Sequence, residues 1–373
     1  MPFKKNIKVA IVGTRGIPNE YGGFEQFAQF LSKDLAQDNF DVTIYNPHFH
    51  HPDVHDLNGV NIVHKWCPES LLGAAAHFIF DFLSLKDAIN KNFDIILELG
   101  YGTSAISIFM LQSKTSIIVT NMDGMEWKRD KWSPLTKKFM HWSESIAVQK
   151  SDYLISDNKG ISDYILKTYN KNSTMIPYGT EEFKNPDQRI LGEYQLKEDH
   201  YFMLIARLEP ENNIEMILDG YTNSKTKKDF IVIGNYKTKY GKFLKKKYAN
   251  NNVQFLNGIY DINIINNLRY YSKLYFHGHS VGGTNPSLLE AMGCRAQIIA
   301  HDNLFNRNVL GEDAHYFKNS KEVSFLLNNL GNVKKSNDLF IDNNINKIRD
   351  TYSWKKINES HINFFNKIIM DKK

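Results

Sequence analysis

The stretch His277-Gly278-His279-Ser280-Val281-Gly282-Gly283-Thr284-Asn285-Pro286-Ser287-Leu288-Leu289-Glu290-Ala291-Met292 decides the fold of this 373-residue chain. The apolar run Leu274-Tyr275-Phe276 precedes it as a buried strand, and Pro286 opens an apolar helix after a glycine pair. Strand, glycine turn and helix form one unit of a doubly wound parallel sheet, in which ligands gather at the carboxyl ends of the strands. The unpaired amides of such a helix start, with its dipole, favour an anion such as a diphosphate. Glu290 lies one turn further on, placed to accept hydrogen bonds from ribose hydroxyls. The competing reading has Thr284 or Asn285 as a helix cap and Glu290 as an ordinary helical residue.

Working outward, the unit recurs. Residues 201–205, 230–234, 253–256 and 297–300 read as further strands. Arg207 follows the first of them, and a planar guanidinium there suits phosphate oxygens. Asn235 and Ile259 follow the next two and would line the same crevice. The first half repeats the pattern, with strands at 8–12, 42–45, 60–63, 94–97, 116–120 and 153–156 and a helix over 24–36 carrying Phe24, Phe27, Ala28, Leu31 and Leu35. The polar stretch 178–197, with Gly179, Pro186 and Gly192, reads as the linker. The fold class is α/β, with two Rossmann-like domains over 1–180 and 195–351. A length of 373 residues suits two cores better than one.

Two loops of the first half carry polar chemistry. Gly13 to Glu25 lies between a strand and a helix but lacks the GxGxxG spacing of dinucleotide sites. Its paired glycines, Gly22 and Gly23, allow close backbone approach to a diphosphate or sugar, unless the segment is a plain tight turn. Residues 123–132 hold Asp123, Glu126, three cations and two tryptophans, a mixture suited to a sugar pocket or to a charged surface loop. Asp123 and Glu126 would either bind sugar hydroxyls or deprotonate an acceptor hydroxyl. Composition leaves both roles open.

Bulk properties narrow the partners. The formal charge of +5 is a modest excess, spread along the chain except for Lys242, Lys245, Lys246 and Lys247 and the tail Lys372-Lys373, and it fits anionic ligands, an anionic lipid leaflet or simply a solvated lysine-rich face. Nothing points to nucleic acid. Cys67 and Cys294 lie outside any metal-ligand spacing, so two buried free thiols and no metal site are expected. The basic start and its short apolar run fall short of a signal segment, which predicts a cytoplasmic protein. The 71–83 segment reads as a buried helix, with an acceptor-facing or membrane-facing surface as the alternative, and falls short of the ~18 residues of a spanning helix.

The motifs ARLEPENN (206–213), GGTNPSLLEAM (282–292), VGTRGIPNEYGGFE (12–25) and NMDGMEWKRDKW (121–132) together resemble family 4 (GT4) of the retaining glycosyltransferases. Within it the match is to a bacterial branch that includes the streptococcal β-1,4-rhamnosyltransferases. The resemblance spans nearly the whole chain. It implies the GT-B fold, two Rossmann-like domains facing across a cleft, with a C-terminal helix from 352 to 373 crossing back to the N-domain. It implies transfer of L-rhamnose from dTDP-L-rhamnose to a glycan or lipid-linked glycan in surface polysaccharide synthesis, without a metal; peripheral contact with the cytoplasmic face of the inner membrane is left open by the 71–83 segment and the basic surface. Donors such as UDP-glucose, UDP-GlcNAc or GDP-mannose are alternatives, as is a non-catalytic nucleotide-sugar-binding partner. By the same resemblance Arg207 neutralises the donor diphosphate and Glu290 is the second glutamate of the EX7E signature. Gly283, Thr284 and Asn285 supply amides around diphosphate and sugar, and Gly22 and Gly23 face them. Two departures stand out. Gly282 occupies the place of the first glutamate, and no lysine stands in Glu211-Asn212-Asn213 where one is usual. Asp123 and Glu126 are candidates to supply part of what is lost.

Overall fold

Continuous apolar runs become parallel strands here because both faces of each sheet are covered by helices. The computed structural model describes residues 6–20, 22–122, 124–249 and 251–372, with side chains left undescribed for 330–337. Asp123 lies outside the described residues. The chain forms two compact units, one of Met1–Trp127, Pro134–Tyr178 and Trp354–Lys373, the other of Lys128–Ser133 and Gly179–Ser353.

In the first unit the strands are β1 (Ile7–Val12), β2 (Phe40–Pro47), β3 (Asp56–Leu57), β4 (Val60–Lys65), β5 (Ile95–Leu99), β6 (Ile117–Met122), β7 (Tyr153–Ser156) and β8 (Thr174–Met175). Their order is β3-β4-β2-β1-β5-β6-β7-β8, parallel apart from the β3–β4 pair. Val9, Ala10, Ile11 and Val12 are fully buried at the centre. The Gly23–Gln37 helix buries Phe27, Ala28, Leu31 and Leu35 on its apolar stripe. The last helix, Trp354–Asp371, packs on it: Trp354 stacks on Phe30 with centroids 4.6 Å apart, and Asn358 donates to Asp34 at 2.7 Å.

The second unit contains β9 (Tyr201–Ile205), β10 (Asp229–Ile233), β11 (Val253–Leu256), β12 (Leu274–His277), β13 (Ile298–His301) and β14 (His315–Phe317). All are parallel, in the order β11-β10-β9-β12-β13-β14. Phe202, Phe230, Phe276 and Phe317, one from each of four strands, form the aromatic centre of its core. The direction of winding reverses between β9 and β12, so their carboxyl ends splay apart and leave the crevice that such sheets use for ligands.

The segment 178–197 is polar but packed. From Gly179 it belongs to the second unit, and it buries Leu191 and Leu196. Both cysteines are buried and free. The 71–83 segment is not a single buried helix. It breaks into Glu69–Leu72, a turn at Gly73–Ala75 and the helix Ala76–Asn90, leaving Leu71 and Leu72 in solvent. No helix among the described residues is long and apolar enough to cross a membrane.

Candidate functional site

At the switch point of the second sheet, two loops lock together. Asn213 Nδ2 donates to the Gly278 carbonyl at 2.8 Å, and Ser280 donates to the Glu211 carbonyl through N–H and hydroxyl. A Cβ at position 278 would stand 2.1 Å from the Asn212 carbonyl oxygen, so only glycine permits this approach. The asparagines found where a lysine is usual are therefore staples. Asn212 Nδ2 likewise donates to the Arg207 carbonyl, at 2.7 Å.

Arg207, exposed at the end of β9, has no ion-pair or side-chain hydrogen-bond partner among the described residues. A second guanidinium, Arg129 of the 128–133 segment, lies 4.0 Å from Glu211, whose other carboxylate oxygen is buried without a hydrogen-bond partner. His279 feels the charge of both. Burial, followed by the fields of Arg207 and Arg129, pushes its pKa down to about 3. His277 stacks on it with centroids 4.5 Å apart and is held neutral for the same first reason, with both ring nitrogens unpartnered. The crevice thus combines positive charge with buried polar atoms that lack protein partners.

Next to it the Pro286–Gly293 helix begins. Asn285 Oδ1 accepts from the Ser287 amide at 2.9 Å, so the oxygen of its side chain serves the cap. Gly282 adopts φ +124°, a conformation strained for any L side chain, which explains why no glutamate stands there. Glu290 accepts from Arg269 at 2.6 Å, and the same guanidinium donates to Ser287 Oγ at 3.1 Å. Arg269 was not singled out by the sequence, since a basic residue in the last turn of the Ile262–Tyr270 helix ordinarily faces solvent. Asn235 and Ile259 sit on the same edge after β10 and β11. Asn235 uses its side chain to accept from the Lys237 amide at 3.0 Å.

In the first unit the corresponding loops are built differently. Gly22 is the extended residue before the Gly23–Gln37 helix, and buried Glu25 accepts from the Arg15 amide at 2.8 Å. That carboxylate already supplies negative charge at the helix start, so the loop suits neutral hydroxyls better than a diphosphate. Glu126 lies half-buried in a short 3-10 turn, its amide donating to the Tyr101 hydroxyl at 3.0 Å. Glu144, unremarked in the sequence, anchors this turn. Its buried carboxylate accepts from Trp127, Tyr101, Tyr164 and Tyr169. Burial, then Glu144 itself, pushes the Tyr164 hydroxyl up to about 12. Cys67, Glu69 and His77 converge from separate elements with metal-like spacing, but Arg15 pairs with Glu69 at 3.4 Å.

Residues 188–337 match the family described as glycosyl transferases group 1, and residues 6–181 match a domain of unknown function, DUF1972. An uncharacterized glycosyltransferase of Methanocaldococcus jannaschii is 23% identical over 98% of this chain and 100% of its own length. Sucrose-phosphate synthase of Thermosynechococcus elongatus superposes with a TM-score of 0.81 at 13% identity, covering 98% of this chain and 100% of that one. HepE of Anabaena, solved with UDP and glucose, gives 0.75 at 13% identity, covering 97% and 100%. At such identities the structural likeness speaks for the fold alone. The match to the group 1 glycosyl transferases covers residues 188–337, in the second unit, and the structural likeness shows the GT-B fold.

Proposed function

We propose that the chain transfers L-rhamnose from dTDP-L-rhamnose to a hydroxyl of a glycan or lipid-linked glycan, with retention at the anomeric carbon. The observation that carries this reading is the placement of Arg207 at the switch point, in the same crevice as the start of the Pro286–Gly293 helix. As the anomeric bond loosens, negative charge collects on the leaving diphosphate. Arg207 and the amides of Gly283, Thr284 and Asn285 stabilise it, each well-placed donor contributing about 3–4 kcal/mol. Arg129 adds positive charge where the usual lysine is missing. Glu290, oriented by Arg269, accepts from the ribose hydroxyls. These groups supply the charge that a metal would otherwise bring, so the reaction proceeds without one. Glu126, with Asp123 and the Gly22–Gly23 loop, serves the sugar and acceptor hydroxyls in the cytoplasm. The choice of rhamnose rests on the four motifs of the rhamnosyltransferase branch.

A donor screen read by product NMR tests this, because it reports sugar and anomeric configuration together. Rhamnosyl transfer with retention, insensitive to chelator, is expected. Transfer only from UDP-glucose, UDP-GlcNAc or GDP-mannose would reassign the donor. Tight nucleotide-sugar binding with neither transfer nor hydrolysis would make the chain a non-catalytic partner.

A further inference from the structure

Three side chains of different chemistry meet in the first unit where the chain leaves β4. Cys67 lies in the connection after that strand, Glu69 opens the Glu69–Leu72 helix, and His77 stands in the first turn of the Ala76–Asn90 helix. One ligand atom from each, the Cys67 Sγ, a Glu69 carboxylate oxygen and a His77 ring nitrogen, lies within 4.8 Å of the other two. The positions 67, 69 and 77 match no familiar zinc spacing, which is why the sequence alone points away from a metal.

The His77 imidazole is 9% exposed, and its Nε2 is buried without a hydrogen-bond partner among the described residues. A buried ring nitrogen left unpaired is costly and calls for a partner. Glu69 Oε2 lies 3.7 Å away, too far for a hydrogen bond. Two ligands across one tetrahedral zinc stand about 3.4 Å apart for bonds of about 2.1 Å, close to this separation. Arg15 pairs with the other carboxylate oxygen, Oε1, at 3.4 Å, and so holds Glu69 with Oε2 toward His77. A metal-bound carboxylate is commonly oriented by such a neighbour. The backbone fixes the thiol in turn: the Cys67 amide donates to His48 Nδ1 at 3.1 Å, and the Cys67 carbonyl accepts from the Glu69 amide at 2.9 Å. Burial, then Arg15, lowers the pKa of His77, which keeps the imidazole neutral and able to bind.

We propose that Cys67, Glu69 and His77 form a zinc site, with water in the fourth position on the side where Glu69 meets solvent. Thiolate and imidazole favour Zn2+ over Mg2+ or Ca2+. On binding, the Cys67 S–H bond breaks, the sulfur takes the metal and the proton leaves to solvent. The ion ties the Glu69–Leu72 helix to the Ala76–Asn90 helix and takes no part in sugar transfer, so this proposal and the transfer reaction stand or fall separately.

Full-length protein is stripped with chelator and titrated with Co2+, then with Zn2+. One Co2+ per chain is expected, with a near-ultraviolet thiolate-to-cobalt absorption that Zn2+ abolishes and excess Mg2+ does not. Zn2+ should also raise the thermal melting temperature. Cys67→Ser removes the absorption, while Cys294→Ser and His51→Ala, the latter in the separate Glu20–His50–His51 group, leave it intact. The Glu69 side chain is 34% exposed, so Glu69→Gln should leave the melt of the metal-free protein nearly unchanged. It should weaken Co2+ at least about tenfold, which keeps the test decisive if Cys67→Ser fails to fold. No thiolate absorption in the wild type, an absorption that survives Cys67→Ser, its loss in Cys294→Ser or His51→Ala, or unchanged affinity in Glu69→Gln would each overturn the proposal.

Discussion

The Arg269 guanidinium lies 2.6 Å from the Glu290 carboxylate, with the arginine 2% and the glutamate 16% exposed. This pairing changes what a Glu290 variant reports. Glu290→Ala leaves a buried cation without its partner, at about 3–5 kcal/mol of stability, so lost nucleotide binding would be confounded with lost structure. The double variant Arg269→Met/Glu290→Gln removes both charges. It is expected to recover most of that stability in denaturant melts while nucleotide diphosphate binding, followed by calorimetry, stays at least about tenfold weaker. If the double variant binds normally, Glu290 acts only as a structural partner of Arg269.

Arg207 offers the cleaner probe. Its side chain is exposed, so Arg207→Ala shifts stability by no more than about 0.5 kcal/mol. Loss of one charge-assisted contact to the diphosphate corresponds to about 1.5–3 kcal/mol, or roughly 10- to 100-fold in affinity. Calorimetry with nucleoside and nucleoside diphosphate separates the two parts of the ligand. Only the diphosphate should lose affinity, and an equal loss for both would place Arg207 elsewhere than on the phosphates.

Both sheets were legible because parallel strands buried on two faces leave continuous apolar runs, as in Val9–Val12 and Phe202–Ile205. The strands Asp56–Leu57, Thr174–Met175 and His315–Phe317 were not, since two or three residues at an edge leave no run to read. Among site residues, those tied to chain-local geometry could be placed: Arg207 after its strand, Asn285 before its helix. Arg129, Arg269 and Glu144 act on residues 82, 21 and 17 or more positions away, and no period links such partners. The 71–83 segment misled for a related reason. Its apolar residues fit a buried helix, and only the turn at Gly73–Ala75 sends Leu71 and Leu72 outward.

Gly282 tests whether the missing acid can be put back. At φ +124° a glutamate would be strained by about 1–2 kcal/mol, even though no atom lies within 4 Å of its Cβ position. Gly282→Glu should therefore lower the melting temperature by a few degrees, roughly 2–4 °C per kcal/mol for a domain of this size, without raising transfer. A gain in turnover would show that the loop relaxes to accept the acid, and that its absence limits the wild-type enzyme.

Asp81 makes stability depend on pH. Burial pushes its carboxyl up to about 7, against an ordinary 3.8, and neighbouring Glu98 is raised well above its usual value by burial and then by Asp81. The folded state therefore holds a proton that the unfolded chain releases near pH 4. The stability this provides is complete below about pH 4 and is lost as pH rises to 7. Asp81→Asn, which imitates the protonated carboxyl, should match the wild type at pH 4 and exceed it at pH 8 by about 2–4 kcal/mol. Urea titrations at the two pH values measure the difference. Some fall with pH should persist in the variant, because Glu98 still ionises in the unfolded chain. Equal destabilisation at both pH values would mean that Asp81 is held by its bond to Thr103 rather than penalised by burial.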